Sequence, residues 1–460
     1  MPRSLSIISA SLVLIALTFV KPASAQTSYE VTGSSNTGYT SNRNPGTVAD
    51  PQPDAFFEIG AGVGFRSVNG RTLQALRYEL TGTIFAQELG AASFQNALDY
   101  LSLYDLSRRL RLGIGASGRQ GRQGSFRVNP TEQVVEPRRP GTVWFVGLSA
   151  QQRLDFLLDS NWGLFQTAQM DWFIPTNNPL GDEGDIDPNG DSGRAASFEG
   201  GLGGQYSWRR FALGVSQRSQ YLVNFLRIGN QATWLFTLSG TLRWDLSRRW
   251  TANFEAGAQL SVEGDLSALR QPGPLARGTL VYRQRRWTVD LAAGYQQTPS
   301  VQVAQILEGA AVALRASIPV GRPRLRMWVE GALGYTYSSP IGDIAAAEAI
   351  DIHTVGTDVA FNWRFSEMME AAVRYQFGVQ RSVGLSLLTV GEYAQDFSAH
   401  VAMLSLRFNY PPRRRRGRPR RRLGGPTRVD REEWDAVFDP TPGRSRDDTS
   451  TSQGGGSSAH

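Results

Sequence analysis

Charged and amide side chains recur at every second position through long stretches of this chain, and that spacing decides what chemistry they can do. Arg243, Asp245, Asn253 and Glu255 fall on one parity of two neighbouring stretches, as do Arg77, Glu79, Asp290, Gln296, Glu330, Asp358, Asn362, Arg364, Glu370, Arg374, Gln376 and Arg407 elsewhere. Alternate residues of an extended chain share a face, so these side chains would line one polar surface carrying both signs. Such a lining suits passage of bulky, neutral or weakly charged cargo, a polysaccharide for example, rather than selection of one ionic sign. The competing role for each residue is structural, with opposite charges pairing across strands to stiffen the wall.

Other groupings suggest different chemistry. Asp185, Asp187 and Asn189 with Gly190 match the opening of a calcium loop, where oxygen ligands alternate and glycine makes the sharp turn. Ala196 stands where the bidentate carboxylate belongs, so no EF-hand is expected, and no cofactor is required. A solvated acidic loop is the simpler reading; a looser calcium site also using Asp182, Glu183 and Asp191 is the alternative. An enzyme would need a positioned base, yet the histidines are His353, His400 and His460, and only His400, near Asp396 and Ser398, has candidate partners close in sequence. Nothing identifies an activated nucleophile, and no enzymatic activity is expected. Arg413, Arg414, Arg415, Arg416, Arg418, Arg420, Arg421 and Arg422 form a basic run. It could hold to anionic lipid headgroups, peptidoglycan or periplasmic export components. Trp434, Val437 and Phe438 are the one apolar cluster beyond it.

The elements that must position these residues are strands. Ala232, Trp234, Phe236, Leu238, Gly240, Leu242, Trp244 and Leu246 alternate with Thr233, Thr237, Ser239, Thr241, Arg243 and Asp245. After Ser247 and Arg248 the alternation resumes, with Trp250, Ala252, Phe254, Ala256, Ala258, Leu260 and Val262 apolar. Each stretch far exceeds the roughly 5–6 residues of an ordinary strand. A long hairpin with one apolar face, one polar face and aromatic residues at its turn is expected of a transmembrane barrel facing lipid outside and water inside. On that facing Leu238 meets lipid and Thr237 meets water.

The beginning of the chain supplies a route to a membrane. Arg3, the apolar run Leu5 to Val20 and the small-x-small site Ala23-Ser24-Ala25 form an export signal over residues 1–25, with a mature start at Gln26. No other stretch approaches the roughly 20 apolar residues of a membrane helix, so spanning would require a closed sheet. An all-β bacterial outer-membrane barrel with both ends in the periplasm is the expectation. The chain has no cysteine, so no disulfide contributes.

The net charge is +7, but the signal removes two positive charges, and residues 411–460 hold twelve Arg against seven Asp or Glu, a surplus of five, which leaves the body near zero. A body built for nucleic acid is therefore not supported.

The same period and punctuation mark eighteen strands over residues 26–410, with sixteen as the alternative if the weak first pair is absent. Residues 26–54, rich in Ser, Asn, Thr and Gly, are either a leader or the first strand. Residues 411–460 form a disordered tail beyond Tyr410. Tyr104-Asp105-Leu106-Ser107-Arg108-Arg109 nearly repeats in Trp244-Asp245-Leu246-Ser247-Arg248-Arg249, which puts a set of short turns at one rim. Longer connections, Arg119 to Gly141, Pro175 to Arg194 and Ser338 to Ile352, would lie at the other.

Three segments carry a family resemblance: Gly38 to Asn44, Asp54 to Arg66 and Arg77 to Thr81. They resemble the β-barrel porin type 2 family, whose members often accompany exopolysaccharide export systems. The resemblance implies a large barrel and, more loosely, a role in glycan secretion. It carries no catalytic residues.

Overall fold

The computed structural model describes residues 26–42, 53–69, 71–87, 92–122, 144–176, 194–226, 229–263, 268–269, 272–284, 287–300, 305–321, 325–341, 351–383 and 397–411. The expected export signal, the Asp185, Asp187 and Asn189 loop and the arginines from Arg413 to Arg422 lie outside the described residues.

The long strands are β1 Gln26–Thr40, β2 Asp54–Asn69, β3 Thr72–Phe85, β4 Ser93–Asp105, β5 Leu110–Arg122, β6 Trp144–Leu157, β7 Trp162–Thr176, β8 Arg194–Trp208 and β9 Phe211–Leu226. They continue as β10 Gly229–Trp244, β11 Trp250–Glu263, β13 Gly273–Gln284, β14 Trp287–Ser300, β15 Gln305–Val320, β16 Met327–Ile341, β17 Asp351–Trp363, β18 Met369–Val383 and β19 Phe397–Tyr410. A two-residue β12, Ala268–Leu269, pairs only with the end of β11.

Each long strand pairs antiparallel with its sequence neighbours, and β1 pairs with both β2 and β19, closing an eighteen-strand barrel. The sixteen-strand alternative falls with β1. Its polar sequence still forms a strand because closure gives both of its edges backbone partners, from Gln26↔Val68 to Thr40↔Asp54 on one side and from Val31↔Tyr410 to Thr40↔Val401 on the other. The connection expected from Ser338 to Ile352 is also shorter, since β16 runs on to Ile341 and β17 begins at Asp351.

One rim carries only short turns, and their sequences explain why they recur. In β4–β5 the hydroxyl of Ser107 accepts from the amides of Arg109 and Leu110, both at 3.1 Å. Ser247 does the same for Arg249 and Trp250 at 3.1 and 3.2 Å, and Ser366 for Met368 and Met369 at 3.2 and 2.9 Å. Asp159 takes this place in β6–β7, accepting from Asn161 and Trp162 at 2.7 and 2.8 Å. Those amide hydrogen bonds hold the Asp159 carboxyl below its usual range. A side-chain oxygen thus satisfies amides that the strand ladder leaves unpaired at the bend. Between β8 and β9 the turn is only Arg209 and Arg210, and Arg209 takes φ 45°, the left-handed geometry a two-residue hairpin loop demands.

Candidate functional site

The closed sheet has two faces, and period two separates them. Leu238, Phe254, Val215, Leu202 and Val373 point outward and are 51–62% exposed. Phe57, Ile59, Leu333 and Leu404 share that face. A continuous apolar exterior of this size belongs in hydrocarbon. Aromatic pairs bound it: Trp162 with Tyr206, Phe211 with Trp244 and Trp250 with Tyr282, at 4.7–5.4 Å between ring centres toward the short-turn rim. Tyr221 with Trp234 and Tyr337 with His353 lie toward the other rim. Described residues contain no helix long and apolar enough to cross a membrane; this chain crosses with strands.

The inner face carries the polar side chains, and its charges meet their opposites. Arg77 bridges Glu79 on the same strand, and in register Arg77 stands opposite Asp99. Arg243 lies 3.9 Å from Asp245, Arg364 3.1 Å from Glu370 and Arg374 3.4 Å from Asp358. In register, Asp290 faces Arg315 and Glu370 faces Arg407. Glu330 accepts from the Trp328 indole at 2.6 Å, and the Arg364 guanidinium sits 5.5 Å from the Trp328 ring centre. Asn253 donates to Thr279 at 3.0 Å, and Gln376 to Asp358 at 2.9 Å.

One node gathers side chains from four consecutive long strands. Glu255 of β11 accepts from Arg218 of β9 at 2.6 Å, from Arg277 of β13 at 2.5 Å and from the Ser239 hydroxyl of β10 at 2.9 Å. Ser239 in turn lies 3.0 Å from Ser216. Of the node only Glu255 is in the sequence-derived set. Arg218 and Arg277, like the pairs Arg111–Asp105 at 2.8 Å and Arg153–Asp155 at 3.0 Å, were not singled out, although their parity on the strands marks them equally well.

Along the barrel axis the inner face has two zones. Toward the short-turn rim the paired charges stay partly solvated, with side-chain exposure from 14% at Glu370 to 46% at Asp105. Toward the long-loop rim the inward side chains are buried: Phe56, Phe85, Val401 and Met403 form one apolar cluster, and Leu222, Leu235, Leu307, Ile352 and Gln380 are each at most 4% exposed. Thr237 belongs to this packed zone. It is 7% exposed and accepts from Gln259 at 3.3 Å, while Gln259 is itself locked onto the Gln297 backbone by bonds of 2.9 and 2.6 Å. The expectation that Thr237 opens to water is therefore corrected: it faces inward, but into a filled part of the interior.

The two described histidines do not join the inner face. His353 and His400 lie on outward parity, each with its Nδ1 engaged by a tyrosine hydroxyl, Tyr335 at 2.8 Å and Tyr375 at 2.7 Å. Among described residues no group of three or more His, Cys, Asp or Glu is placed to hold a metal.

No protein-family profile and no curated protein matches the chain. Among solved structures it is similar to OccAB3 of Acinetobacter baumannii, at 10% identity over 83% of this chain and 99% of that one, with a TM-score of 0.46. It is also similar to OpdQ of Pseudomonas aeruginosa, at 10% identity over 84% and 98%, with a TM-score of 0.40. A mutant of the ferric enterobactin receptor PfeA of Pseudomonas aeruginosa gives 8% identity over 85% and 81%, with a TM-score of 0.42.

Proposed function

We propose that this barrel is an outer-membrane conduit that passes a bulky hydrophilic polymer outward, a polysaccharide being the cargo class that fits best. The observation that supports it is the two-zone interior. The solvated zone carries Arg and Asp or Glu in self-neutralising pairs, so it offers little Coulomb preference for either ionic sign, and hydroxyl-rich cargo can exchange hydrogen bonds with its charged and amide groups. The packed zone favours controlled passage over free diffusion, because a general diffusion pore needs a continuous open lumen. In this reading the short-turn rim faces the periplasm, as in bacterial barrels, and β1 and β19 bring Gln26 and Tyr410 to that rim. The basic run Arg413 to Arg422 then lies on the periplasmic side, where it docks on anionic headgroups, peptidoglycan or the export machinery that feeds the channel.

Gene deletion in the source bacterium tests the proposal. Loss of surface polysaccharide with polymer retained in the periplasm is the expected phenotype, restored by the full chain. Unchanged polysaccharide together with slower uptake of small solutes would replace it with a diffusion porin.

A further inference from the structure

The outward face is not uniformly apolar. Gln152 on β6, Gln166 on β7 and Gln217 on β9 all point outward and are exposed. Every other amide or charged side chain on the outward face of the described strands lies within three residues of a strand end, whereas these three sit four to six residues in. They are neighbours. Gln152 is in register with Ala168, one outward position from Gln166, and Gln166 and Gln217 both stand in register with Leu202 of β8. Beside Gln152 and Gln166 the floor is small, with Ala150, Ala168 and Gly200, and a Cβ added at Gly200 would meet nothing within 4 Å; Leu202, 61% exposed, stands between Gln166 and Gln217 as an apolar knob. Gln217 donates to Ser219 at 2.6 Å, while the side chains of Gln152 and Gln166 make no hydrogen bond with described residues.

Hydrocarbon cannot satisfy an amide. Three amides grouped around Leu202 at mid-depth therefore need a protein partner in the membrane. We propose that the outward face of β6–β9 is a self-association surface, and that its occupant is the same face of a second copy of this chain. Two features favour self-association over a foreign partner. A glutamine side chain both donates through Nε2 and accepts through Oε1, so the patch is complementary to itself, as a two-fold interface requires. The aromatic belts also fix every copy at one depth, so a second barrel presents the same amides at the same level. Ala150, Ala168 and Gly200 let the two walls approach closely beside Gln152 and Gln166, as small residues do between membrane helices, and Leu202 of one wall packs into that shallow ground on the other.

The chain has no cysteine, so Gln166→Cys or Gln152→Cys carries the only thiol in the molecule. Oxidation in native outer membranes should give a disulfide-linked dimer of the full chain at one or both positions. Val373→Cys, 60% exposed on the opposite wall, should give at least tenfold less. Replacing Gln152, Gln166 and Gln217 together by leucine should shift the mass in lipid nanodiscs to that of one copy while the heat-modifiable barrel band persists, so misfolding cannot imitate dissociation. A single-copy mass for the parent, absence of cross-linking at both positions, cross-linking to a different protein, or a triple variant that keeps the parent mass would each overturn the proposal. Polysaccharide secretion by a folded single-copy variant tests the conduit separately.

Discussion

An arginine at Leu238 tests the facing of the whole barrel, because the two faces differ only by parity. Leu238 is 60% exposed and lies six residues above Trp244 in the aromatic belt of the short-turn rim. At about 3.4 Å per residue and a tilt of about 40°, each residue climbs about 2.6 Å, which places Leu238 about 16 Å above the belt, near the middle of an apolar band about 25 Å tall. A cation there costs roughly 2–4 kcal/mol. Its register neighbours Gln217 and Ala258 offer one amide as a partner, which favours the lower end. That cost corresponds to roughly a thirty- to nine-hundredfold fall in the folded-to-unfolded ratio. The inward comparison is Thr241→Arg rather than Thr237→Arg. Thr241 is exposed on the inner face in register with Glu255, whereas Thr237 is buried and has no room. Urea unfolding in phospholipid vesicles, followed by tryptophan fluorescence and by the heat-modifiable gel shift, reads both variants. Equal midpoints for Leu238→Arg and Thr241→Arg would refute the assigned facing.

Removing Glu255 as Glu255→Gln leaves Arg218 and Arg277 facing each other without their shared carboxylate. With all three groups 16–34% exposed, the loss should be about 1–2 kcal/mol, below that for a fully buried pair, and reversal potentials in a KCl gradient should move toward anion preference; an unmoved potential would place the node off the ion path. Ser247→Ala removes the acceptor for two turn amides and should cost about 0.5–1.5 kcal/mol, with faster hydrogen exchange at Arg249 and Trp250; unchanged exchange would show that the turn does not depend on the hydroxyl. Truncation after Tyr410 should leave an assembled, heat-modifiable barrel, because the sheet is already closed by the β19–β1 pairing; failure to assemble would make residues 411–460 part of the fold. Glutamine at the eight arginines from Arg413 to Arg422 should weaken binding to anionic vesicles, and the difference from the parent should shrink at high salt; equal binding at low salt would remove the electrostatic docking.

What the residues determine alone is local. Alternation with period two places Leu238 and Thr237 on opposite faces whatever the remainder of the chain does, and Ser107, Asp159, Ser247 and Ser366 cap four of the short turns from within their own local sequence. Alternation and turn punctuation mark the strands after the first and give the inward parity of residues such as Arg243, Glu255 and Arg374. Closure decided the rest. β1 has a weak strand pattern and becomes a wall only because β2 and β19 arrive on both of its edges. Arg218 and Arg277 lie 37 and 22 residues from Glu255 in sequence and meet it only through the registers of β9, β10, β11 and β13. Whether an inward residue is solvated, like Asp245, or packed, like Thr237 and Leu222, depends on its height inside the barrel. Parity reports direction; it carries no information about what fills the space ahead of a side chain, because that is set by strands and segments distant in sequence.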